Sequence, residues 1–142
     1  MTKIYTVGYQ GVDLGFFIKA LREKGITRLV DCRSYPWSRS REFTRKKLEK
    51  SLNDANIEYR WVPKLGGKEG KRPLGWNSAL AHVIERANQG KIIALLCMEY
   101  DPTKCHRGKW IQPDLESKGV QVEHIFASLD RPKPNYSLEE FC

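Results

Sequence analysis

The stretch "KIIALLC", Lys91 to Cys97, decides the fold: six of its seven residues are apolar and they do not alternate with polar ones. A strand with one wet face alternates; an unbroken apolar strand is covered on both faces, as in a parallel sheet held between two helical layers. The continuation, "MEYDPTKCHRG" (Met98 to Gly108), turns abruptly polar. Asp101 followed by Pro102 reads as a helix N-cap with proline in the first turn. The spacing predicts a helix from about Thr103 to Lys118, with Pro113 kinking or dividing it.

The same alternation of strand and helix extends both ways along the chain. "KIYTVGY" (Lys3 to Tyr9) is a β-rich run closed by glycine. Asp13 can cap a helix whose apolar face is Leu14, Phe17, Ile18 and Leu21, stopped at Gly25. "ITRLVDC" (Ile26 to Cys32) is a second strand. After the polar loop "RSYPWSRSREF", Thr44 can cap a helix burying Leu48, Leu52 and Ala55. "IEYRWV" (Ile57 to Val62) is a third strand. Asn77 is the expected cap of a helix burying Leu80, Val83, Ile84 and Ala87, and "VQVEHIF" is the last strand. Strands alternating with helices imply right-handed crossovers and a doubly wound sheet. The expectation is one three-layer α/β/α domain over residues 1–126, with a mainly parallel five-stranded sheet in flavodoxin-like or related order. Residues 127–142 form a Pro-rich tail. A chain of 142 residues, 40% hydrophobic, suits one such domain.

Composition narrows the function. The start lacks the apolar core of a leader, and no apolar run is long enough to span a bilayer. The expected setting is therefore cytoplasmic, without a membrane partner. Cys32, Cys97, Cys105 and Cys142 include no CxxC pair and are expected to be reduced thiols. The net charge of +8 is localised: residues 33–47 and 60–72 together hold eleven basic and two acidic residues, against fourteen and fifteen elsewhere. A basic surface of this kind points to a polyanion, with nucleic acid or a nucleotide as the expected partner. Tyr9, Tyr35, Trp37, Trp61 and Trp76 lie in or beside these loops, where aromatics among lysines and arginines suit base stacking.

In open parallel sheets ligands sit outside the carboxyl ends of the strands. Both basic loops and the turn after Cys97 fall on that edge. Arg33, Ser38, Arg39, Gly66, Gly67, His106 and Arg107 are the candidate anion-binding residues, and Arg41, Arg45, Lys64 and Lys68 the candidate nucleic-acid rim. Candidate reactive groups are Glu99, Asp31 and Cys97: a carboxylate near basic groups can act as base or nucleophile, and a thiolate is favoured by nearby cations. Asp31 can instead orient Arg33 or Arg39, and Cys97 and Cys105 can simply be core. The turn is not a Cys-x5-Arg phosphatase loop, because Arg107 lies ten residues after Cys97. A metal site from Cys97, Cys105 and His106 is possible, but the seven residues between Cys97 and Cys105 match no common zinc spacing, and on a helix Cys105 and His106 point to different faces. No metal and no cofactor are expected.

The motifs "TVGY", "LVDCRSYPWSR", "LGG", "LLCMEYDPTKCHR" and "VEHI" occur in order over residues 4–125. In that combination the chain resembles the family called domain of unknown function 488. The resemblance implies a small α/β protein whose shared residues here are Gly8, Asp31, Arg33, Pro36, Ser38, Arg39, Leu65, Gly66, Gly67, Cys97, Glu99, Cys105, His106, Arg107 and His124. Tyr9 and Pro113 depart from the family's pattern. The resemblance implies no reaction. Three readings stand side by side: a nucleotide or nucleic-acid binder with a glycosidic or hydrolytic step open to Glu99 and Asp31; a thiol enzyme using Cys97; and a non-catalytic module for RNA or an acidic protein.

Overall fold

Residues 2–127 are described by the structure, a computed structural model. The tail expected beyond residue 127, including Cys142, lies outside the described residues. Strands β1 (Lys3–Gly8), β2 (Arg28–Asp31), β3 (Glu58–Trp61), β4 (Ile93–Cys97) and β5 (Gln121–Ile125) form one sheet in the order β3-β2-β4-β1-β5, every pair parallel. This is the expected five-stranded α/β architecture in a related doubly wound order; the flavodoxin order, 2-1-3-4-5, would place β1 beside β2. Here β4 stands between them. All five residues of β4 are buried, as its unbroken apolar sequence requires.

Two apolar cores sandwich the sheet. Helices α1 (Leu14–Glu23) and α2 (Arg45–Asp54) bury Phe17, Leu21, Leu48 and Leu52 with Ala94 and Leu96 on one face. Helix α3 (Trp76–Asn88) and the short α4 (Gln112–Glu116) bury Leu80, Val83 and Leu115 with Ile93 and Leu95 on the other. The alternation along β4 sorts its side chains between the two cores. Chain connections therefore leave β1 and β2 toward one face and β4 toward the other. Their divergence opens a crevice at the carboxyl end of β4, on both of its sides.

Local chemistry sets the helix ends. Asp13 caps α1 as expected, its side chain accepting from the N–H groups of Gly15 (2.8 Å) and Phe16 (3.4 Å). Thr44 precedes α2 but makes no side-chain cap bond. Asn77 does not cap α3: the cap falls two residues earlier, at Gly75, whose φ of 87° is a left-handed conformation open to glycine. The largest correction is the segment after β4. It is not one kinked helix. A 3-10 turn, Pro102–Lys104, is followed by Cys105 in extended conformation (φ −145°, ψ 161°), a π-turn over Arg107–Ile111, and then α4. Pro113 has no N–H to give and its ring crowds the carbonyl four residues back. A wider turn immediately before it accommodates both.

Candidate functional site

The crevice at the end of β4 is a cavity of about 690 Å³. Its walls come from four loops. The turn after β1 gives Tyr9; the loop after β2 gives Arg33, Ser34, Tyr35 and Trp37; the loop before α3 gives Gly67, Lys68 and Gly70; the segment after β4 gives Cys97 to Glu99, Lys104 to His106, Lys109 and Trp110. Among the described residues, four cations and one carboxylate, Glu99, face this space. Among the described residues, Lys68, Lys104 and Lys109 form no ion pair. Tyr35 and Trp37 are 61% and 66% exposed, and the Lys68 ammonium lies 4.4 Å from the Tyr35 ring centroid.

Arg33 is held from behind by Asp31, which is fully buried. One Asp31 carboxylate oxygen accepts from the Arg33 main-chain N–H (3.1 Å) and Nε (2.8 Å); the other accepts from Arg33 Nη2 (2.7 Å) and from the Tyr59 hydroxyl. Burial opposes the guanidinium charge, but the Asp31 bonds and charge outweigh it and raise the Arg33 pKa. Burial and the Asp31 charge likewise push the Tyr59 phenol up. The Trp61 indole donates to the Arg33 carbonyl (2.9 Å), and the guanidinium covers the Tyr9 ring at 5.1 Å. Arg33 Nη1 is buried without a hydrogen-bond partner among the described residues. Asp31 thus orients Arg33 and has no surface open to a substrate.

Cys97 and Cys105 are joined by a disulfide, and Cys32 is a free buried thiol whose pKa burial and the Asp31 charge raise well above normal. This corrects the expectation of reduced thiols throughout. The sequence spacing hid the pairing because it was read on a helix; the extended Cys105 swings its sulfur back toward β4. The same break brings His106 to the same place instead of to another face. Its Nε2–H donates to the Leu65 carbonyl (2.7 Å), and Nδ1 lies 3.8 Å from Cys105 Sγ. Trp76 and Trp110 pack edge-on against the ring, at 6.4 and 6.3 Å. Desolvation lowers the His106 pKa, against the pull of the Leu65 carbonyl. Gly67 makes room: a Cβ there would stand 2.7 Å from His106 Cγ.

Other expected site residues lie elsewhere. Arg107 is fully buried and does not reach the cavity; it donates to Thr6 Oγ1 (3.1 Å) and to the carbonyls of Glu99 (2.7 Å) and Tyr100 (3.0 Å), strapping β1 to the turn after β4. That corrects its reading as an anion-binding residue of the cleft: the guanidinium is turned inward, to Thr6 and these main-chain carbonyls. Ser38 is buried and accepts from the Ser40 N–H (3.1 Å), a turn contact. Gly66 lets the backbone pass the Ser34 hydroxyl and does not line the cavity. Arg39, Arg41, Arg45 and Lys64 are exposed outside the lining, Arg45 over the Trp61 ring at 5.1 Å. His124 bonds Thr6 and Gln112 and is lowered to about 4 by desolvation and the Arg107 charge. Lys104, Lys109 and Trp110 were not singled out from the sequence, because a helix through this segment would have turned them away from β4.

These features define a small doubly wound α/β domain with a cationic, aromatic-walled cleft at a switch point of its sheet. Residues 13–75 match the model of a family described as "Domain of unknown function DUF488", which supports the resemblance drawn from the motifs. The match spans Asp31, Arg33 and Gly67 but stops short of Cys97. No curated protein and no solved structure matches the chain. Among the described residues no helix is long and apolar enough to cross a membrane.

Proposed function

We propose that the cleft binds the phosphates and bases of a nucleotide or of single-stranded nucleic acid. The observation that carries the reading is the convergence of exposed rings and of lysines that form no ion pair among the described residues: Tyr35 and Trp37 stand at the mouth of a cavity whose walls hold Lys68, Lys104 and Lys109. Base faces stack on such rings without sequence readout, while lysines follow the backbone charge. Arg33, clamped by Asp31, supplies a fixed positive wall. Glu99 is the carboxylate available for a glycosidic or hydrolytic step, since Asp31 is enclosed. The rim arginines Arg39 and Arg41 extend the positive surface along the loop after β2.

Fluorescence anisotropy of labelled 20-nucleotide DNA and RNA, single- and double-stranded, tests this at 50 and 200 mM salt. About four phosphate contacts on a single strand give a slope near −3 in log affinity against log salt, hence about a fiftyfold loss over that range. The Lys68→Glu, Lys104→Glu, Lys109→Glu triple variant should not bind. Absent binding at 50 mM, or binding indifferent to salt, refutes the proposal. Base-release and strand-cleavage assays on Glu99→Gln then separate a binder from an enzyme.

A further inference from the structure

We infer that when the Cys97–Cys105 disulfide is reduced, Cys97, Cys105 and His106, as two thiolates and an imidazole, form a site for a thiophilic divalent cation, zinc foremost, on the floor of the cleft. The Sγ atoms of Cys97 and Cys105 and a ring nitrogen of His106 all lie within 4.8 Å of one another. A tetrahedral zinc ion with bonds of about 2.3 Å to sulfur and about 2.0–2.1 Å to nitrogen sets sulfur to sulfur near 3.8 Å and sulfur to nitrogen near 3.5 Å. Cys105 Sγ and His106 Nδ1 already stand 3.8 Å apart. The two cysteine Cα atoms are 7.5 Å apart. Disulfides ordinarily span about 4.4–6.8 Å; once this one is reduced, the wider backbone spacing leaves room for two thiolates to share an ion.

The surroundings are those of a ligand set. The Leu65 carbonyl accepts the His106 Nε2–H at 2.7 Å, which leaves Nδ1 as the electron-pair donor and fixes the ring's direction. The Arg107 main-chain N–H donates to Cys105 Sγ at 3.3 Å, a bond that favours thiolate. Gly67 admits the imidazole where any side chain would strike it. The charges also balance. Two thiolates cancel the two charges of the ion, so the cation can sit among Lys104 and Lys109. Binding releases the two thiol protons. All three residues line the cavity, so the fourth coordination position faces it. Three protein ligands with an open fourth position are the arrangement of zinc sites that act on bound molecules. The inference does not depend on which molecule fills the rest of the cleft.

The test uses the full chain reduced by a water-soluble phosphine, which with water becomes its oxide as the disulfide becomes two thiols. After anaerobic desalting it is titrated with Co²⁺. One equivalent should develop thiolate-to-cobalt charge transfer and the visible bands of tetrahedral cobalt, and one equivalent of Zn²⁺ should abolish both. Cys97→Ser and Cys105→Ser should each lose about half the charge-transfer intensity; His106→Asn should keep it while shifting the visible bands; Cys32→Ser should match the parent. No charge transfer in the reduced parent chain, or its survival in the Cys97→Ser, Cys105→Ser double variant, overturns the site. A readout without variants accompanies it. Zinc should shield Cys97 and Cys105, mapped by peptide mass, from alkylation by iodoacetamide; equal alkylation with and without zinc overturns the site as well.

Discussion

Replacing Asp31 by asparagine isolates the clamp behind Arg33. The substitution keeps shape and one acceptor, so the bonds from the Arg33 N–H and Nε survive. The amide nitrogen then faces Arg33 Nη2 and the Tyr59 hydroxyl, where a carboxylate oxygen had accepted from both. The Arg33 Nη2 bond loses its charged acceptor, worth about 1.5–3 kcal/mol, while the Tyr59 hydroxyl can turn to accept from the amide. Leaving the Arg33 charge uncompensated brings the total to about 3–5 kcal/mol, the cost of breaking a buried pair, since Arg33 is only 6% exposed. With a urea slope of about 2 kcal/mol/M, the unfolding midpoint should fall by roughly 2 M. Tryptophan fluorescence follows it, since the Trp61 indole is bonded to the Arg33 carbonyl. The Asp31→Asn, Arg33→Gln double variant removes the stranded charge and should cost at least about 2 kcal/mol less than the two single costs added together. A midpoint shift under about 0.5 M at unchanged slope would falsify the clamp. Asp31 would then be free for another role.

Three further outcomes are expected. In Gly8→Ala the new methyl, at the end of β1, runs into the Glu99 main-chain carbonyl just beyond β4, which cannot swing aside as a side chain would; thermal denaturation should show a loss of about 3 kcal/mol or more. His124 titrates at about 4 when folded and near 6.5 when unfolded, so the unfolded chain takes the proton first. Its contribution is complete above pH 6.5 and is lost as pH falls toward 4, about 3 kcal/mol in all; urea midpoints at pH 7 and 4.5 should converge more in His124→Gln than in the parent chain. Tyr35→Ala and Trp37→Ala remove exposed rings, so stability should hold while single-strand affinity drops about tenfold or more each; unchanged affinity removes base stacking from the proposed function.

Much of the architecture was legible because burial leaves a direct mark on sequence. The apolar run of β4, the Asp13 cap and the i, i+3, i+4, i+7 face of α1 each follow from one local rule. Strand order was harder, since it depends on which strand a crossover passes, and no local residue records that. The site was half legible. Its position at the carboxyl edge follows from the topology, and Arg33, Gly67, Lys68, Cys97, Glu99 and His106 all face the cleft. Arg107 was misread because a basic residue looks alike whether it meets solvent or main-chain carbonyls. The convergence of Cys97, Cys105 and His106 was hidden by one dihedral pair: Cys105 is extended where Asp101-Pro102 announces a helix, and every residue from there to Trp110 changes its aim.

Placing β1 between β4 and β5 sets a timetable for the chain. The first strand made is paired only with the last two: Lys3 meets Gln121, and Tyr5 meets Ala94. As synthesis proceeds from the amino end, β1 has no sheet partner until residue 93 has emerged, and only the four-residue strands β2 and β3 can pair before then. Such distant pairings raise contact order and slow folding. The cleft is assembled on the same schedule, because its floor is the end of β4. A nascent or truncated chain carries the basic loops with no cavity between them.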